Sequence, residues 1–485
     1  MSLRGGPKGE RSAQHEGIPT SILDRLRAAV GDRHVLADGD LSAYEVDWRK
    51  RHRGHALAVV RPASTAEVAR VMQACATQRV GVVMQGGNTG LVGGSVPDTS
   101  GTQILLSLTR MNRIRAIDAP NLTMTVDAGC VLQSVQEAAA ARGLLFPLSL
   151  AAEGSCTIGG NLATNAGGTQ VLRYGNARDL CLGLEVVTAS GEVWEGLSGL
   201  RKDNTGYDLR DLFIGSEGTL GAITGATLKL YPQPAAVTTA LTTATSLAAT
   251  VELLQLAQAR LGPALTGFEV MNEFALTLVR RQFPALRQPL PGAPWTVLIE
   301  QSDAEGTEHA ASRFEALLAT ALERGLVTDA AVAANLDQSK AMWHLRESIP
   351  LAQSLEGANI KHDISLPVSA IAEFVATTDA ALLREFPGVR LVDFGHLGDG
   401  NLHYNVQAPE GVAPLAFVEA FEPAVNTLVF DAVAARGGSF SAEHGIGQLK
   451  RDALAARKSP VALQMMRAIK RALDPESLLN PGRVL

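Results

Sequence analysis

A run of small residues fills positions 153–168, where the chain reads EGSCTIGGNLATNAGG before continuing to Arg173-Tyr174-Gly175. These residues carry too little apolar side chain to form a core of their own. The run is explained if a large flat ligand lies against the backbone. Glycine lets backbone N–H groups approach such a ligand closely, and Ser, Thr and Asn supply further hydrogen bonds. We therefore predict a ligand-binding surface here.

Two more glycine-rich segments lie on either side of this run. Residues 85–95 read QGGNTGLVGGS, and residues 214–223 read IGSEGTLGAI directly before a predicted strand. The first segment is suited to a pyrophosphate, although tight turns use the same residues without any ligand. A Rossmann dinucleotide loop opens directly onto a helix, whereas Val96-Pro97-Asp98 follows here, and the Gly-Lys-Ser/Thr of a P-loop is missing. NAD is therefore disfavoured and an ATP P-loop is excluded.

The chain around these segments alternates between predicted strands and helices. Ser64 and Glu67 form a capping box ahead of a helix, and Gly143 ends a helix over Val131–Ala141. Strands are predicted at Leu57–Arg61, Gly81–Met84, Ile104–Leu108, Thr123–Asp127, Gly183–Thr188 and Ala222–Leu230. After the boundary at Tyr231–Pro234, helices are predicted over 245–260 and 305–325, with a strand at Trp295–Glu300 between them.

Length and pattern together predict two domains, since 485 residues exceed what one hydrophobic core usually supports. Residues 1–56 are assigned to a helical lead-in and residues 57–234 to the first domain. Residues 235–439 are assigned to a second α+β domain. The C-terminal segment, 440–485, is expected to complete the active site and the first domain.

The composition excludes several classes of protein. The formal charge of −6 gives no basic surplus for nucleic acid or an anionic membrane surface, and no apolar stretch is long enough to span a bilayer. The four cysteines lie far apart with no CxxC pair, which argues against a zinc knuckle or an iron–sulfur cluster and suits a reduced compartment. Residues 1–20 lack the apolar region of a secretory signal, so a cytoplasmic location is predicted.

A candidate metal site lies in the second half of the chain. If Asp399-Gly400 forms a two-residue hairpin turn, His396 faces His403 on one side of a sheet, and Asn405 points to the same side. The alternative is a pair of surface histidines.

The motif Ser441–Gly447 (SAEHGIG) adds a carboxylate, Glu443, and an imidazole, His444, with no apolar periodicity to explain them. His396, His403 and Glu443 form a set typical of catalytic zinc, although manganese and cobalt remain open.

The three glycine-rich segments together, from about Leu57 to Pro232, resemble the FAD-binding domain of the vanillyl-alcohol oxidase and p-cresol methylhydroxylase superfamily. The resemblance implies an α+β fold, with a two-subdomain FAD-binding domain and an α+β cap domain built on an antiparallel sheet. It also implies non-covalent FAD, because no histidine stands in Val82–Gln85 beside the first segment. The residues expected to bind FAD are Gln85, Gly86, Gly87, Asn88, Thr89, Gly90, Leu91, Gly94, Ser95, Gly154, Ser155, Thr157, Gly159, Gly160, Asn161, Thr164, Asn165, Gly167, Glu217, Gly221, Ile223 and Asn480.

The second half resembles D-lactate and D-2-hydroxyglutarate dehydrogenases. The matching motifs are the His396–His403 hairpin, Glu443-His444, Trp343–Glu347, Ile360–Ser365 and Asn480-Pro481-Gly482. The resemblance implies oxidation of a D-2-hydroxy acid to the 2-oxo acid. It also implies that Arg346, Lys361 and Asn405 contact the substrate and that a divalent metal binds its hydroxyl and one carboxylate oxygen. His444, whose imidazole titrates near working pH, is the candidate general base.

The choice of substrate stays open at this point. D-2-hydroxyglutarate is the first choice, but Pro350 stands where relatives acting on it are expected to carry a hydroxyl, so D-lactate or another D-2-hydroxy acid is the alternative. Remoter alternatives are a non-catalytic FAD-carrying subunit of an oxidase complex and an NADPH-dependent flavin reductase. No sequence motif identifies the electron acceptor, which could be an electron-transferring flavoprotein, a cytochrome or a quinone. A homodimer is the default assembly.

Overall fold

The computed structural model describes residues 21–485, so the prediction for residues 1–20 lies outside the described range. In the N-terminal half the helices are α1 (Ile22–Val30), α2 (Ser42–Glu45), α3 (Thr65–Gln78), α4 (Leu132–Ala140), α5 (Ile158–Thr164), α6 (Val171–Tyr174) and α7 (Arg210–Phe213). The strands are β1 (Val35–Leu36), β2 (Ala58–Val60), β3 (Val82–Gln85), β4 (Ile104–Ser107), β5 (Ile114–Asp118), β6 (Thr123–Asp127), β7 (Leu144–Leu145), β8 (Cys181–Val187), β9 (Val193–Gly196), β10 (Ala222–Lys229) and β11 (Tyr231–Pro232).

Two sheets organise this half. The first has the order β1-β2-β4-β3, with β4 parallel to β2 and to β3, and the second is an antiparallel sheet in the order β5-β6-β10-β8-β9. The predicted capping box begins α3, where Ser64 accepts a hydrogen bond from the backbone N–H of Glu67. One apolar core joins both sheets, and Leu479 from the C-terminal segment is buried in it beside Val82.

The second half continues with a large antiparallel sheet. Its strands are β12 (Ala236–Ala244), β13 (Leu265–Asn272), β14 (Trp295–Asp303), β15 (Asp329–Val332), β16 (Asn359–Ile360), β17 (Asp363–Ser365), β18 (Arg390–His396) and β19 (Asn401–Gln407). They lie in the order β15-β12-β14-β13-β18-β19-β16, with β17 also paired to β19. The α+β class with an antiparallel sheet in the second domain is confirmed.

Helices cover both faces of this sheet because alternate strand residues are apolar on each side. Val270 belongs to a core shared with α8 (Leu247–Leu261), α10 (Thr307–Glu323), α13 (Val368–Glu385) and α14 (Pro414–Ala434). Its neighbour Met271 belongs to a core shared with α9 (Glu273–Gln282), α11 (Leu336–Glu347) and α12 (Ile349–Glu356). The chain ends with α15 (Arg451–Arg457) and α16 (Pro460–Leu473). No helix among residues 21–485 is long and apolar enough to cross a membrane.

The predicted two-residue turn at Asp399-Gly400 is wrong. Leu397–Asp399 form a 3-10 turn, and Gly400 follows with φ 84°, a left-handed conformation that suits glycine. Phe394, rather than His396, is therefore directly opposite His403 in the β18–β19 pair.

The run at 153–168 is more than the predicted ligand-binding surface. Its centre forms the short helix α5, in which Ile158 and Leu162 are buried in the first core. The run therefore contributes to the core as well as to a ligand-facing surface.

Candidate active site

The three glycine-rich segments meet around one open cleft with about 960 Å³ of empty space. Predicted residues that line it are Gln85, Gly86, Gly87, Asn88, Thr89, Gly90, Gly94, Ser95, Thr157, Gly159, Gly160, Asn161, Thr164, Glu217, Gly221, Ile223 and Asn480. Lining residues that sequence reasoning missed include Met84, Val92, Leu108, Ala128, Cys156, Ala163 and Gly218, and His444 also lines the cleft. Most of the missed residues are apolar and fill gaps between the segments, so they carry no sequence signal.

Close packing between the first two segments explains several of the glycines. A Cβ on Gly87 would lie 2.0 Å from the carbonyl oxygen of Ser155, and one on Gly86 would lie 2.3 Å from the hydroxyl of Thr157. A Cβ on Gly90, by contrast, would meet nothing within 4 Å. Gly86 and Gly87 are thus required for packing, whereas Gly90 leaves an open backbone surface toward the cleft.

Two buried polar atoms of the cleft wall have no partner among the described residues. They are the hydroxyl of Thr157 and the side-chain amide nitrogen of Asn161. A buried polar atom without a partner costs free energy unless a ligand or water satisfies it. A large cleft with exposed backbone and unsatisfied polar atoms fits an extended, hydrogen-bonding cofactor such as FAD.

Several predicted cofactor residues use their side chains to shape the cleft. The amide of Gln85 donates to the carbonyl oxygens of Tyr44 and Ser95 at 2.9 and 3.0 Å. The carboxylate of Glu217 accepts hydrogen bonds from the backbone N–H groups of Ile446 and Gly447 at 2.6 and 2.7 Å. These bonds hold the segments and the C-terminal chain in place.

Asn480 joins the C-terminal segment to two walls of the cleft. Its side chain accepts from the backbone N–H of Met84 at 2.8 Å and donates to the carbonyl oxygen of Glu217. The predicted residues Leu91, Gly154, Ser155, Asn165 and Gly167 are not among those that line the cleft. Gly167 instead lies against Glu443, since a Cβ there would be 2.7 Å from Oε1 of that carboxylate.

The predicted metal-binding side chains converge in the structure. One ligand atom from each of His396, His403 and Glu443 lies within 4.8 Å of the other two, and Nε2 of His396 is 3.9 Å from Oε2 of Glu443. His396 and His403 are offset diagonally on one sheet face, with ring centroids 5.6 Å apart. This donor set fits a divalent cation with an open coordination position.

A buried carboxylate that sequence reasoning missed holds two of the site residues. Glu269 on β13 accepts from Nδ1 of His396 at 2.5 Å and from Nε of Arg346 at 2.7 Å. Burial opposes charge on His396, but Glu269 raises the pKa of that imidazole to about 9. Burial lowers the pKa of His403 well below its usual value, so that ring is neutral, as a metal ligand must be.

Asp363 holds the two residues of the Glu443-His444 motif. Its Oδ2 accepts from the backbone N–H groups of Glu443 and His444 at 2.9 and 2.8 Å, and Oδ1 accepts from the amide of Asn401. Burial would raise the pKa of Asp363, but the neighbouring His444 and Lys450 and the hydrogen bond from the His444 N–H hold it well below its usual value. Asp363, His403 and His444 also form a potential metal group, yet both carboxylate oxygens of Asp363 are already engaged. The set with His396 and Glu443 is therefore favoured.

Two family models together match most of the chain. The "FAD binding domain" matches residues 56–196, and "FAD linked oxidases, C-terminal domain" matches residues 233–484. The mitochondrial D-2-hydroxyglutarate dehydrogenase of Bos taurus is 41% identical over 473 residues, covering 96% of this chain and 85% of the relative. The D-2-hydroxyglutarate dehydrogenase of Xanthomonas citri pv. viticola is 40% identical, covering 96% of each chain.

This chain belongs to the D-2-hydroxyglutarate dehydrogenase family of FAD-linked oxidoreductases. Family membership confirms the predicted class of enzyme and the FAD cofactor, and it argues against a non-catalytic subunit. The fold is similar to that of p-cresol methylhydroxylase with substrate bound, at a TM-score of 0.76 and 18% identity over 96% of each chain. The predicted fold class is thereby confirmed.

The predicted substrate residues of this family member lie in different surroundings. Arg346 is buried on Phe394, with its guanidinium carbon 4.9 Å from the ring centroid, and only its Nε is bonded to Glu269. Its two terminal nitrogen atoms form no hydrogen bond with any residue in the described range.

Lys361 is partly buried and likewise has no hydrogen-bond or ion-pair partner among residues 21–485. Burial, followed by the charge of Arg49, lowers the pKa of Lys361 to about 8.

Asn405 makes contacts that brace the site. Its side-chain oxygen accepts from the backbone N–H of His362 at 3.0 Å, and its amide donates to Gln353 at 3.1 Å. Both polar groups are thus engaged within the protein. Pro350, the departure noted in the sequence, lies in the first turn of α12.

Proposed function

We propose that this chain oxidises a D-2-hydroxy acid to the 2-oxo acid, with D-2-hydroxyglutarate as the first-choice substrate. The proposal rests mainly on the position of His444. This imidazole lines the cofactor cleft and stacks on the ring of His403, a candidate metal ligand. The two ring centroids are 6.0 Å apart. A substrate between the cation and the flavin would therefore lie beside a candidate base.

The cofactor would lie along the glycine-rich segments. The unpaired polar atoms of Thr157 and Asn161 would form hydrogen bonds with it. FAD when bound supplies a two-electron acceptor for the hydrogen at C2 of the substrate. We propose that the attachment is non-covalent. His52 packs on the first segment, against Gly93, and would be the first candidate for a covalent bond to the flavin. Burial lowers the pKa of its imidazole.

One divalent cation would be held by His396, His403 and Glu443. Zinc is the first choice, with manganese and cobalt as alternatives. A cation at this position supplies a Lewis acid that makes the substrate hydroxyl more acidic. The proton of His396 must leave on metal binding, because a coordinating imidazole is neutral.

His444 is suited to accept the proton of the substrate hydroxyl. Burial lowers the pKa of its imidazole, partly opposed by the charge of Asp363, which favours the neutral ring that a general base requires. Its Nδ1 lies 3.5 Å from Oδ2 of Asp363, and this negative charge stabilises the protonated form. The two free nitrogen atoms of Arg346 would bind a substrate carboxylate in a planar fork.

The test is anaerobic bleaching of the flavin by D- and L-2-hydroxy acids. D-2-hydroxyglutarate is expected to reduce the flavin in a single turnover and its L enantiomer is not, because with the hydroxyl and carboxylate held in place only the D configuration directs the single C2 hydrogen toward the flavin. Comparable rates with both enantiomers would refute the arrangement. Bleaching by NADPH with no response to any hydroxy acid would favour the flavin reductase alternative.

D-lactate stays the second candidate, because Pro350 removes a hydroxyl expected near a distal carboxylate. A reduced, cytoplasmic compartment remains a prediction, supported by four buried cysteines without disulfides. A homodimer and an acceptor that is an electron-transferring flavoprotein, a cytochrome or a quinone also remain predictions.

A further inference from the structure

The Ser441–Gly447 motif is a loop closed by its own hydrogen bonds. The hydroxyl of Ser441 donates to the carbonyl oxygen of Gly445 at 2.5 Å. The ammonium group of Lys450 braces the start of the loop, since it donates to the carbonyl oxygen of Phe440 at 3.0 Å and to the Ser441 hydroxyl at 3.2 Å. A displacement of this closed backbone therefore moves the side chains that it carries.

Glu217, in the third glycine-rich segment, holds the second half of the loop. Its two carboxylate oxygens each accept one backbone N–H, from Ile446 at 2.6 Å and from Gly447 at 2.7 Å. A Cβ on Gly445 would lie 2.8 Å from Oε1 of Glu217, and a Cβ on Gly447 would lie 2.3 Å from the carbonyl oxygen of Val92. Both glycines are therefore needed for the loop to approach the first and third glycine-rich segments.

The first half of the loop is held from the other domain. Asp363, on strand β17, accepts from the N–H groups of Glu443 and His444 through Oδ2. Two carboxylates, one from each domain, thus hold the backbone on both sides of the His444 imidazole. Asp363 locates this residue relative to the cap domain, and Glu217 locates it relative to the cofactor cleft.

The backbone of Glu217 is itself fixed to the wall of the cleft. Its N–H donates to the carbonyl oxygen of Ala163 on α5 at 2.8 Å, and its carbonyl oxygen accepts from the side-chain amide of Asn480. Its φ is 52°, a left-handed conformation that a residue other than glycine keeps only where surrounding contacts impose it. The side chain is therefore directed at the loop from a backbone held by the cleft.

We propose that Glu217 is a positioning residue for the reaction, whose carboxylate sets the location of His444 relative to the cofactor cleft. This inference rests on the proposed function, in which His444 accepts the proton of the substrate hydroxyl. A base must lie within hydrogen-bond reach of that proton, and a displacement of about 1 Å costs about 100-fold in rate. Without Glu217, Asp363 still holds Glu443, so the metal-binding side chains keep their places.

The test is a double-mutant cycle measured by single-turnover reduction of the flavin with saturating D-2-hydroxyglutarate. Glu217→Gln offers one acceptor and directs an amide NH₂ at the second backbone N–H. The rate is expected to fall about 10- to 100-fold, because the base is displaced. The half-saturating substrate concentration, the FAD content and the metal content should each change less than about twofold, since the groups that determine them are other residues.

The same change in a His444→Ala background separates positioning from a general structural effect. There Glu217→Gln should lower the remaining rate less than about twofold, because the group that it positions is already gone. Equal fold-losses in both backgrounds would overturn the positioning role. Loss of FAD from folded Glu217→Gln would also overturn it, because the carboxylate would then be holding the cofactor.

Two further variants control for the contact itself. Gly445→Ala keeps Glu217 but places a Cβ against its carboxylate, so it should reproduce the loss of rate with FAD retained. Glu422→Gln is the matched control, since Glu422 accepts two hydrogen bonds from Arg51 across the two halves of the chain, at 3.0 and 2.7 Å. Those bonds do not involve the loop, and the rate should stay within about twofold of wild type. An equal loss in Glu422→Gln would show that any contact between the halves has this effect.

Hydrogen exchange of the loop gives a readout that does not depend on activity. The amides of Ile446 and Gly447 should exchange about 10- to 100-fold faster in Glu217→Gln, because each loses a charge-assisted hydrogen bond. The amides of Glu443 and His444 should not change. Unchanged exchange at Ile446 and Gly447 would overturn the proposal. If their exchange rises yet no D-2-hydroxy acid bleaches the wild-type flavin, the proposed function fails while the contact between Glu217 and the loop stands.

Discussion

The Nδ1 atom of His396 lies 2.5 Å from Oε1 of Glu269, a carboxylate 127 positions earlier in the chain. The same carboxylate holds Arg346 through its other oxygen. Glu269 therefore orients a metal ligand and a substrate-binding cation at once. Such a partner fixes the tautomer and the orientation of a coordinating imidazole.

We expect Glu269→Gln to weaken binding of the cation about 10- to 100-fold while FAD stays bound. The measurement is a metal titration beside the flavin absorbance. Glu300→Gln is the matched control, because Glu300 is a buried carboxylate on the neighbouring strand that bonds Trp343 and Thr239 rather than a metal ligand. Unchanged metal affinity in Glu269→Gln would show that His396 needs no such anchor.

The roles of the metal ligands and of the candidate base should be distinguishable by their effects on metal content and rate. His403→Ala removes one of three ligands, so its metal content and its activity should both collapse. His444→Ala should keep its metal and lose about 10²- to 10⁴-fold in rate, as expected for a lost general base. Metal analysis beside single-turnover flavin reduction distinguishes the two. If His403→Ala retained both metal and rate, the hairpin histidines would be structural.

Chelation offers a further check on the cation. Removing it should abolish turnover without releasing FAD, because the cofactor segments and the three metal ligands are different residues. Zinc, manganese or cobalt should restore activity. Full turnover after exhaustive chelation, with no metal left in the protein, would contradict a role for the cation.

A side chain at Gly160 should displace the cofactor. This residue lines the cleft within α5 and has no left-handed φ, so a side chain there would cause no backbone strain. A Cβ would meet only the hydroxyl of Thr157, at 3.4 Å. Gly160→Ala should therefore keep FAD. Gly160→Val, whose branched methyl groups extend into the cleft, should lose FAD from a folded protein. Full flavin occupancy in the valine variant, measured by absorbance ratio, would show that the ligand lies elsewhere.

The pH dependence should report Lys361. Burial and the charge of Arg49 lower the pKa of this ammonium to about 8, so it is charged below that pH and neutral above it. Since Lys361 is predicted to contact the substrate, KM for D-2-hydroxyglutarate should rise as the pH passes about 8. In Arg49→Gln the inflection should move to higher pH, because one positive charge that disfavours protonation is gone. A KM that stays constant as the pH passes about 8 would exclude Lys361 from substrate binding.

Non-covalent attachment can be tested directly. The purified protein should be yellow and release free FAD on denaturation. Flavin that stays on the denatured chain would point to a covalent bond, for which His52 is the first candidate, since it packs on Gly93 of the first segment.

Local sequence determined much of this protein. The glycine-rich segments, the cap of α3 and the strand at Thr123–Asp127 follow from short-range preferences that the tertiary structure keeps. His396 and His403 were also placed on the same face, even though the predicted turn was wrong. The observed register differs by two residues, and side chains alternate with a period of two, so an even shift keeps both on that face.

Only the tertiary structure decided which distant groups support those residues. Glu269 reaches His396 because β13 pairs with β18, and no local pattern reports the order of strands in a sheet. Asp363 meets the Glu443-His444 motif through packing between segments far apart in the chain. Such contacts depend on how whole elements bury their apolar faces against one another. The sequence therefore determined the ligand types and local shapes, whereas long-range packing determined the electrostatic surroundings of each ligand.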